Sequence, residues 1–517
     1  MIAKFRSVRR GQTPPLLLVV AVLVAFLLLC LPLLYVVIRS WQAGPANIIA
    51  ELFRERILLL LVNTLLLGLG VTTGACLVGT LAAWCIERCD LPGRHWWRIG
   101  VSLPLAVPAF VASYAWSSVN AIFESLPGAI FILTISVYPL VFLPVSASLR
   151  GMDPALEDVS RSLGYGSWQT FLKVILPQAK PALGAGALLV LTHMFAEFGA
   201  LSLLRVQTFT TAIFASYELQ FDNASAALQS GVLLLLAMPA VWGEMRLRGQ
   251  IRVARTGKGS TRKLPIRSLG PFRLPAVAFF CLLSTLALGV PLVMLCYWLV
   301  VGHSRGEGIS EVLPAIYGSL SLSIPGAFII LLFALPLVFA SIRYKGWLSD
   351  LPDRLPYVLH GLPGIVIALA LVFLSIHFVR PLYQTVIVLF AAYAMLFLPL
   401  AQSALRASIE LVPPRMEELA RGLGRGPLAV FLSITLPNIL PGIGAALALM
   451  VLEVMRELTA TLMLAPTGTT TLATEVWSHA NDGEYAAAAP FAALLVLVSA
   501  FPVYMFARKS MDIYEGQ

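Results

Sequence analysis

Charged residues are scarce in this chain. Only 12% of its 517 residues are Asp, Glu, Lys or Arg, whereas 59% are hydrophobic, and the mean hydropathy is +0.86. A soluble domain carries about 25% charged residues. The composition therefore excludes an ordinary soluble protein and indicates a chain that lies largely in lipid.

Motifs for redox, metal and nucleotide chemistry are also missing. No G-x-x-x-x-G-K-[ST] phosphate loop occurs, because Gly257-Lys258 has no glycine at the required upstream position. No catalytic constellation is present, so we expect a chain that is not an enzyme and binds no ATP or other cofactor itself. The cysteines form no C-x-x-C pair and lie in or beside apolar runs, which makes a structural disulfide or a zinc site unexpected. They are Cys30, Cys76, Cys85, Cys89, Cys281 and Cys296.

Apolar runs of about 20 residues recur along the chain, and each can cross a bilayer core of about 30 Å. About twelve such runs predict an all-α, polytopic membrane protein. The first run, Leu16 to Val37, has no small-residue cleavage site after it and is interpreted as a span, not a signal peptide. The run centres are Leu23, Gly68, Pro108, Ile135, Val190, Leu236, Ala287, Ile330, Ala368, Leu389, Leu449 and Leu495.

Basic residues favour one side of the membrane. They cluster at the N-terminus, in the loop after the second run, and in a mid-chain segment (residues 246–273) that contains no acid. All three clusters fall inside if the N-terminus is cytoplasmic, as the positive-inside bias requires. We therefore expect a multi-pass protein of the bacterial inner membrane with both termini in the cytoplasm. The net charge of +10 then reflects topology and contact with anionic lipid headgroups, and not nucleic-acid binding.

A polar segment occurs twice, 260 residues apart, and such a duplication fixes the architecture. It predicts a first repeat over residues 1–246, a basic cytoplasmic linker over 247–273 and a second repeat over 274–517. With six runs in each half, the repeats are parallel, and a translocation path is expected between them. At the same offset, Glu197 matches Glu457, Thr210-Thr211 match Thr470-Thr471, and Asp222 matches Asp482.

Each copy of the polar segment predicts a helix–glycine–helix elbow, at residues 153–181 and 413–441. Asp153-Pro154 suits a helix start. Glu157 and Arg161 are four residues apart and suit a helical ion pair, and Gly164 suits a left-handed turn. A pair of interfacial helices that merely connect spans would show the same pattern. Two copies in register favour instead a two-fold symmetric partner.

The repeated segment resembles the EAA motif of type I ABC importer permeases. Both copies keep the motif's Glu, the Gly seven residues later and Leu-Pro about twelve residues beyond. They depart from Glu-Ala-Ala, with Glu-Asp-Val in the first copy and Glu-Glu-Leu in the second. The resemblance implies docking on two copies of a separate ATPase subunit, which uses ATP and Mg, and delivery by an extracytoplasmic substrate-binding protein. The residues implied in coupling are Glu157, Arg161, Gly164, Glu417, Arg421 and Gly424.

Two further stretches resemble the ferric-iron permeases, a family in which both repeats are fused in one chain. They are Ala196-Glu-Phe-Gly-Ala200 and Arg456-Glu-Leu-Thr-Ala-Thr461. The resemblance implies ferric iron as the substrate, with thiamine and aminoethylphosphonate as alternatives. A secondary transporter, which needs no ATPase, is the alternative of another class.

Carboxylates late in the fifth run of each half are candidates for the translocation path. Ionisable groups inside a bilayer are costly and usually face a partner or a pathway, and carboxylate oxygens suit a hard cation. Glu197, Glu453 and Glu457 would then line the path. Alternatively, Glu453 or Glu457 pairs with Arg456, and Glu197 is a gate-stabilising hydrogen-bonding residue near the outer interface. His193 is expected to be a packed core or interfacial histidine.

Two polar loops, Phe209–Asp222 and Pro466–Glu484, are expected on the outer face. They are where a substrate-binding protein would dock. Asp222 and Asp482 are alternatively helix caps.

Overall fold

The computed structural model describes residues 16–152, 154–251, 266–304, 312–344, 346, 350–352 and 363–515. Over these residues the secondary structure is helical, apart from turns and one isolated bridge between Cys89 and Arg267. The expected all-α fold is confirmed. Asp153 and most of the linker lie outside the described residues.

The helices of the first repeat begin and end as follows. They are α1 (Leu16–Leu52), α2 (Glu55–Arg88), α3 (Arg94–Ser102), α4 (Ala109–Val119), α5 (Leu126–Val137), α6 (Pro139–Arg150), α7 (Pro154–Ser162), α8 (Ser167–Thr170), α9 (Leu176–Ala196), α10 (Gly199–Leu203), α11 (Phe209–Phe214) and α12 (Asn223–Ile251).

The second repeat has a closely similar order of helices. They are α13 (Arg273–Ser284), α14 (Val290–Ser304), α15 (Val312–Arg343), α16 (Gly364–Phe378), α17 (Val386–Leu411), α18 (Pro414–Gly422), α19 (Pro427–Val430), α20 (Leu436–Met455), α21 (Thr459–Leu464), α22 (Leu472–Asn481) and α23 (Tyr485–Glu515).

Ten helical segments in the described part of the chain are long and apolar enough to cross a membrane. An eleventh candidate is the pair Arg94–Ala106 and Ala109–Val119, which is bent by 88°. The twelfth predicted run corresponds to the shorter apolar helix Gly364–Phe378. The third span of the first repeat is therefore bent, and its counterpart in the described part of the second repeat is a short helix. Pro108 and Pro363 precede α4 and α16, where a residue without a backbone N–H starts a helix easily but cannot continue one.

The chain forms two compact units, and each takes residues from both repeats. One unit contains Ile49–Ile309 and Glu475–Gln517. In it, α2, α6 and α9 pack on one another, and α12 packs on α9. Gly79 permits the close approach of α2, because a Cβ there would lie 2.9 Å from the backbone oxygen of Tyr138. The last helix, α23, joins this unit, where Tyr114 Oη donates a hydrogen bond to the backbone oxygen of Tyr485 at 2.7 Å.

The other unit contains Met1–Ile48 and Ser310–Thr474. Its centre repeats the same arrangement, since α15, α17 and α20 pack on one another. The N-terminal helix belongs to this unit: the ring of Tyr35 lies 5.3 Å from that of Phe373, and the Arg39 guanidinium lies 5.1 Å from the same ring. The first span of each repeat therefore joins the unit built on the other repeat's central helices.

Candidate functional site

Both polar segments fold as elbows. The first elbow (residues 154–175) joins α7 and α8 through Gly164 at φ +83°, and the second elbow (residues 414–435) joins α18 and α19 through Gly424 at φ +80°. In each, the glycine N–H donates to the carbonyl three residues earlier at 2.9 Å. A left-handed residue that ends a helix in this way strongly favours glycine. The predicted turn geometry is confirmed in both copies.

The motif glutamates are buried inside the elbows. Glu157 is 2% exposed and Glu417 is 1% exposed. The first accepts a hydrogen bond from Arg88 Nη1, and the second lies 2.9 Å from Arg343 Nη2. The expected ion pair of Glu157 with Arg161 was wrong. Arg161 is exposed in the last turn of α7, and Glu157 pairs with Arg88 instead.

Arg88 and Arg343 each connect the end of a long helix to an elbow. Each is the last residue of a long apolar helix, and each reaches a second group just before the elbow. Arg88 Nη2 approaches the sulfur of Met152 at 3.4 Å, and Arg343 Nη2 donates to the backbone oxygen of Val412 at 3.0 Å. Sequence reasoning missed both arginines. The sequence signal for each of them was a basic residue at the end of an apolar run.

The two elbows differ in the second group that contacts the glutamate. Arg267, at the end of the linker, places Nη2 3.5 Å from Glu157 Oε2. Its backbone bridges the end of α2, where its N–H donates to the Arg88 oxygen at 2.8 Å. In the second elbow, Thr435 Oγ1 donates to Glu417 Oε1 at 3.2 Å instead. The contacts described for the first glutamate thus include two arginines, and those described for the second include an arginine and a hydroxyl.

Large apolar side chains are exposed along both elbows. Leu163 is 69% exposed and its equivalent Leu423 is 83% exposed. Clustered apolar side chains that face solvent on a polar helix mark a protein contact surface. The matched exposed pairs are Leu156 and Met416, Val159 and Leu419, Leu163 and Leu423, and Leu172 and Leu432.

Each elbow ends in a π-helical turn directly before the fifth span. The turns cover Phe171–Ile175 and Phe431–Thr435, 260 residues apart. Each is followed by a proline that removes a backbone donor. A side-chain amide then donates to the carbonyl four residues earlier: Gln178 Nε2 to Val174 at 2.9 Å, and Asn438 Nδ2 to Ile434 at 2.7 Å. Single π turns within α-helices frequently lie at functional sites.

Glu197 and Glu457 lie just beyond the far end of the fifth span in each repeat. Glu197 Oε1 accepts the N–H of Ala200 at 2.9 Å. Glu457 Oε1 accepts the N–H of Ala460 at 2.8 Å, and its Oε2 accepts the N–H and the hydroxyl of Thr461. Both carboxylates therefore cap the short helix that follows them.

The remaining candidates of this group have local partners. Arg456 Nη2 lies 2.6 Å from Glu453 Oε1, as the ion-pair alternative predicted. His193 Nε2 lies 3.8 Å from Glu197 Oε2. No group of three or more His, Cys, Asp or Glu side chains that could hold a metal ion is found among the described residues.

The two repeats change register beyond the fifth span. Thr208 N–H donates to Thr211 Oγ1, and Thr471 N–H donates to Thr474 Oγ1, each at 2.9 Å, in matching helix caps 263 residues apart. The match of Thr210-Thr211 with Thr470-Thr471 was therefore wrong. Asp222 corresponds by its position before α12 to Glu484 before α23, and not to Asp482.

Comparison with known proteins identifies the family. The model of the binding-protein-dependent transport system inner membrane component matches residues 75–242 and 333–509. This chain belongs to that family. It is 45% identical over 501 residues to the Fe(3+)-transport system permease protein FbpB 2 of Haemophilus influenzae, across 96% of this chain and 99% of that one.

Two other transport permeases match less than half of this chain. The sulfate transport system permease protein CysT of Escherichia coli is 28% identical over 232 residues, across 41% of this chain and 84% of that one. The molybdenum transport system permease protein ModB of the same species is 29% identical over 139 residues, across 24% of this chain and 60% of that one. Two copies of one permease module in a single chain account for this coverage.

Membership in the family fixes the general role. The chain is a multi-pass permease subunit of an ABC-type importer of the inner membrane. A substrate-binding protein and an ATPase subunit are the partners that such a transport system implies.

Proposed function

We propose that this permease imports ferric iron by alternating access. The support is its 45% identity, over nearly the full length of both chains, to a permease named for Fe(3+) transport. Thiamine and aminoethylphosphonate are the alternative substrates within the same class.

Two ATPase subunits drive the cycle, one at each elbow. The observation that carries this proposal is the pair of matched elbows, each with a turning glycine, a buried glutamate and exposed apolar side chains. Glu157 and Glu417 hold the elbows to the spans. Arg161 and the exposed apolar side chains face the ATPase, and the half-buried Arg421 belongs to the same elbow surface of the second copy.

The elbow face is cytoplasmic, and both termini lie on that side, in accordance with the positive-inside bias. A loaded binding protein docks on the opposite, far face. Closure of the ATPase pair moves the elbows together, and the repeats rock to open the path outward. Hydrolysis then resets the permease. The repeat boundaries remain those expected from the duplication, residues 1–246 and 274–517, with the linker at 247–273.

Glu197, Glu453 and Glu457 shape the far end of the path between the repeats. Glu197 and Glu457 act as helix caps, and Glu453 acts through its ion pair with Arg456. In each of the three carboxylates at least one oxygen is engaged in these contacts. In this proposal iron passes these carboxylates, and the three do not together form a metal site.

Transport assays in proteoliposomes test the substrate. The vesicles contain the permease with its ATPase and receive the iron-loaded binding protein outside and ATP inside. ATP-dependent accumulation of radioactive ferric iron is expected, without competition by thiamine or aminoethylphosphonate. Accumulation of either organic compound in place of iron would assign the substrate differently.

A double substitution at the turning glycines tests the coupling role. Gly164→Glu with Gly424→Glu places two bulky charged residues at positions that need the left-handed conformation, so assembly with the ATPase or substrate-stimulated hydrolysis should be lost. Normal stimulated hydrolysis in this variant would overturn the role of the elbows. Uptake driven by an ion gradient, with no ATPase purifying with the chain, would instead indicate a secondary transporter.

A further inference from the structure

Phe214 and Trp477 occupy equivalent positions in the two repeats. Each is the sixth residue after the capping threonine of its helix, Thr208 in α11 and Thr471 in α22. The start of each helix is also held in the same way. The N–H of Phe209 donates to Thr64 Oγ1 at 3.2 Å, and the N–H of Leu472 donates to Ser319 Oγ at 2.8 Å.

These two equivalent residues touch each other. Their ring centroids lie 5.9 Å apart with an interplanar angle of 76°, an edge-to-face arrangement that aromatic pairs prefer. A residue that contacts its own equivalent in a duplicated protein lies at the axis that relates the two copies. The contact therefore marks the axis between the repeats.

More groups gather around this contact. Trp477 Nε1 donates to Ser202 Oγ at 2.6 Å. Phe198, which is buried and follows Glu197 in the chain, lies 4.8 Å from Phe214 and 6.1 Å from Trp477, measured between ring centroids. Three aromatic rings and one side-chain hydrogen bond thus converge, with two rings from the first repeat and one from the second.

The cluster lies at the far end of the span that begins at the first elbow. The helical segment Phe171–Ala196 has 26 residues, which at 1.5 Å per residue gives about 39 Å. Phe198 and Ser202 follow the end of that segment directly. The contact is therefore remote from the elbows, on the side where substrate enters in the proposed cycle.

We propose that Phe198, Phe214 and Trp477, held by Ser202, form the far-face gate of the translocation path; this inference rests on the proposed function. A path along the axis between the repeats is closed where equivalent residues meet. An apolar aromatic constriction bars a hydrated or chelated cation, because such a constriction gates by excluding water. Opening requires Trp477 to leave Phe214 and to release its hydrogen bond to Ser202.

Disulfide trapping tests the movement. In a chain whose six native cysteines are replaced, Phe214→Cys and Trp477→Cys should cross-link readily in the complex without nucleotide. The yield should fall about tenfold with loaded binding protein and vanadate-trapped nucleotide, because the closed state becomes a minor population. The matched control is Tyr114→Cys with Tyr485→Cys, whose rings lie 5.8 Å apart and also join the two repeats. Its yield should not change.

A second set of variants tests closure. Trp477→Ala should raise ATP hydrolysis in the absence of binding protein and weaken its stimulation. Trp477→Phe keeps an aromatic ring but loses the hydrogen bond to Ser202, so it should have a smaller effect in the same direction. Trp41→Ala is the control, since Trp41 is 87% exposed. Two results would overturn the gate. One is a cross-linking yield that does not respond to nucleotide although hydrolysis and assembly are normal. The other is an equal response of the control pair. Failure of the wild-type chain to assemble with an ATPase would overturn the proposed function, and the gate with it.

Discussion

Arg343 and Glu417 form a buried ion pair that fixes the second elbow to the end of α15. Their side chains are 7% and 1% exposed, and Arg343 Nη2 lies 2.9 Å from Glu417 Oε1. Arg88 and Glu157 form the corresponding pair in the first repeat. The motif glutamate therefore acts inside the permease, where it holds the elbow on a span, while other side chains of the elbow are left to face a partner.

Removing one member of this pair should destabilise the permease more than removing both. Arg343→Leu alone leaves a buried carboxylate without its main partner, at a cost of about 3–5 kcal/mol. The double variant Arg343→Leu with Glu417→Leu should recover most of this loss. Thermal unfolding in detergent measures the difference, and Arg425→Leu, at an exposed arginine of the same elbow, is the control. Equal loss in the single and double variants would contradict this account.

The elbow glycines should be sensitive to backbone strain and not to side-chain volume. A Cβ at Gly164 or Gly166 would meet no atom within 4 Å, but only Gly164 has a positive φ, of +83°. Gly164→Ala should cost about 1–2 kcal/mol and reduce stimulated ATP hydrolysis, whereas Gly166→Ala should have little effect. Gly424 and Gly426 offer the same comparison in the second elbow. Similar losses at both positions of an elbow would indicate a steric cause instead.

Glu457 should behave as a helix cap and not as an iron ligand. Glu457→Gln keeps an oxygen that can accept from Ala460, so iron uptake should remain substantial. Glu457→Ala removes the cap and should cost about 0.5–2 kcal/mol of stability, with a matching loss of uptake. Uptake and thermal unfolding are measured on both variants. Complete loss of uptake in a stable Glu457→Gln permease would instead indicate that the charge itself contacts the cargo.

Asp222 should make a pH-dependent contribution to stability at the far face. Its pKa is lowered, first by the hydrogen bond from the Ser225 N–H and then by those from the Ser225 hydroxyl and the Ala224 N–H. Because the pKa of Asp222 is lower in the folded state, its carboxylate contributes fully to the stability of the permease at pH values above the ordinary pKa of 3.8. This contribution is lost as the pH falls through the lowered pKa. The difference in unfolding temperature between wild type and Asp222→Ala should therefore shrink below about pH 4. A difference that stays constant with pH would show that the charge does not contribute.

Local sequence was sufficient for the spans and for the elbow turn. Gly164 and Gly424 follow a polar helix at the same spacing, and apolar runs of the required length are readable without any partner. The partners of Glu157 and Glu417 were not readable, because Arg88 and Arg343 lie 69 and 74 residues earlier in the chain.

The gate residues were hidden for a different reason. Matching the repeats at a constant offset of 260 places Phe214 opposite Thr474, whereas the capping threonines place it opposite Trp477. Three additional residues between Glu457 and Thr471 cause this shift. A sequence without aligned relatives does not show where such an insertion lies, and only the hydrogen bonds of the two caps reveal it.

Each unit contains the first span of the other repeat. Residues 16–48 belong to the unit around α15, α17 and α20, and α13 and α14 belong to the unit around α2, α6 and α9. Cutting the polypeptide between the repeats would therefore not yield two self-sufficient halves, since each fragment would still supply a helix that the other needs to complete its packing. The covalent link therefore joins two repeats that each already depend on a helix from the other.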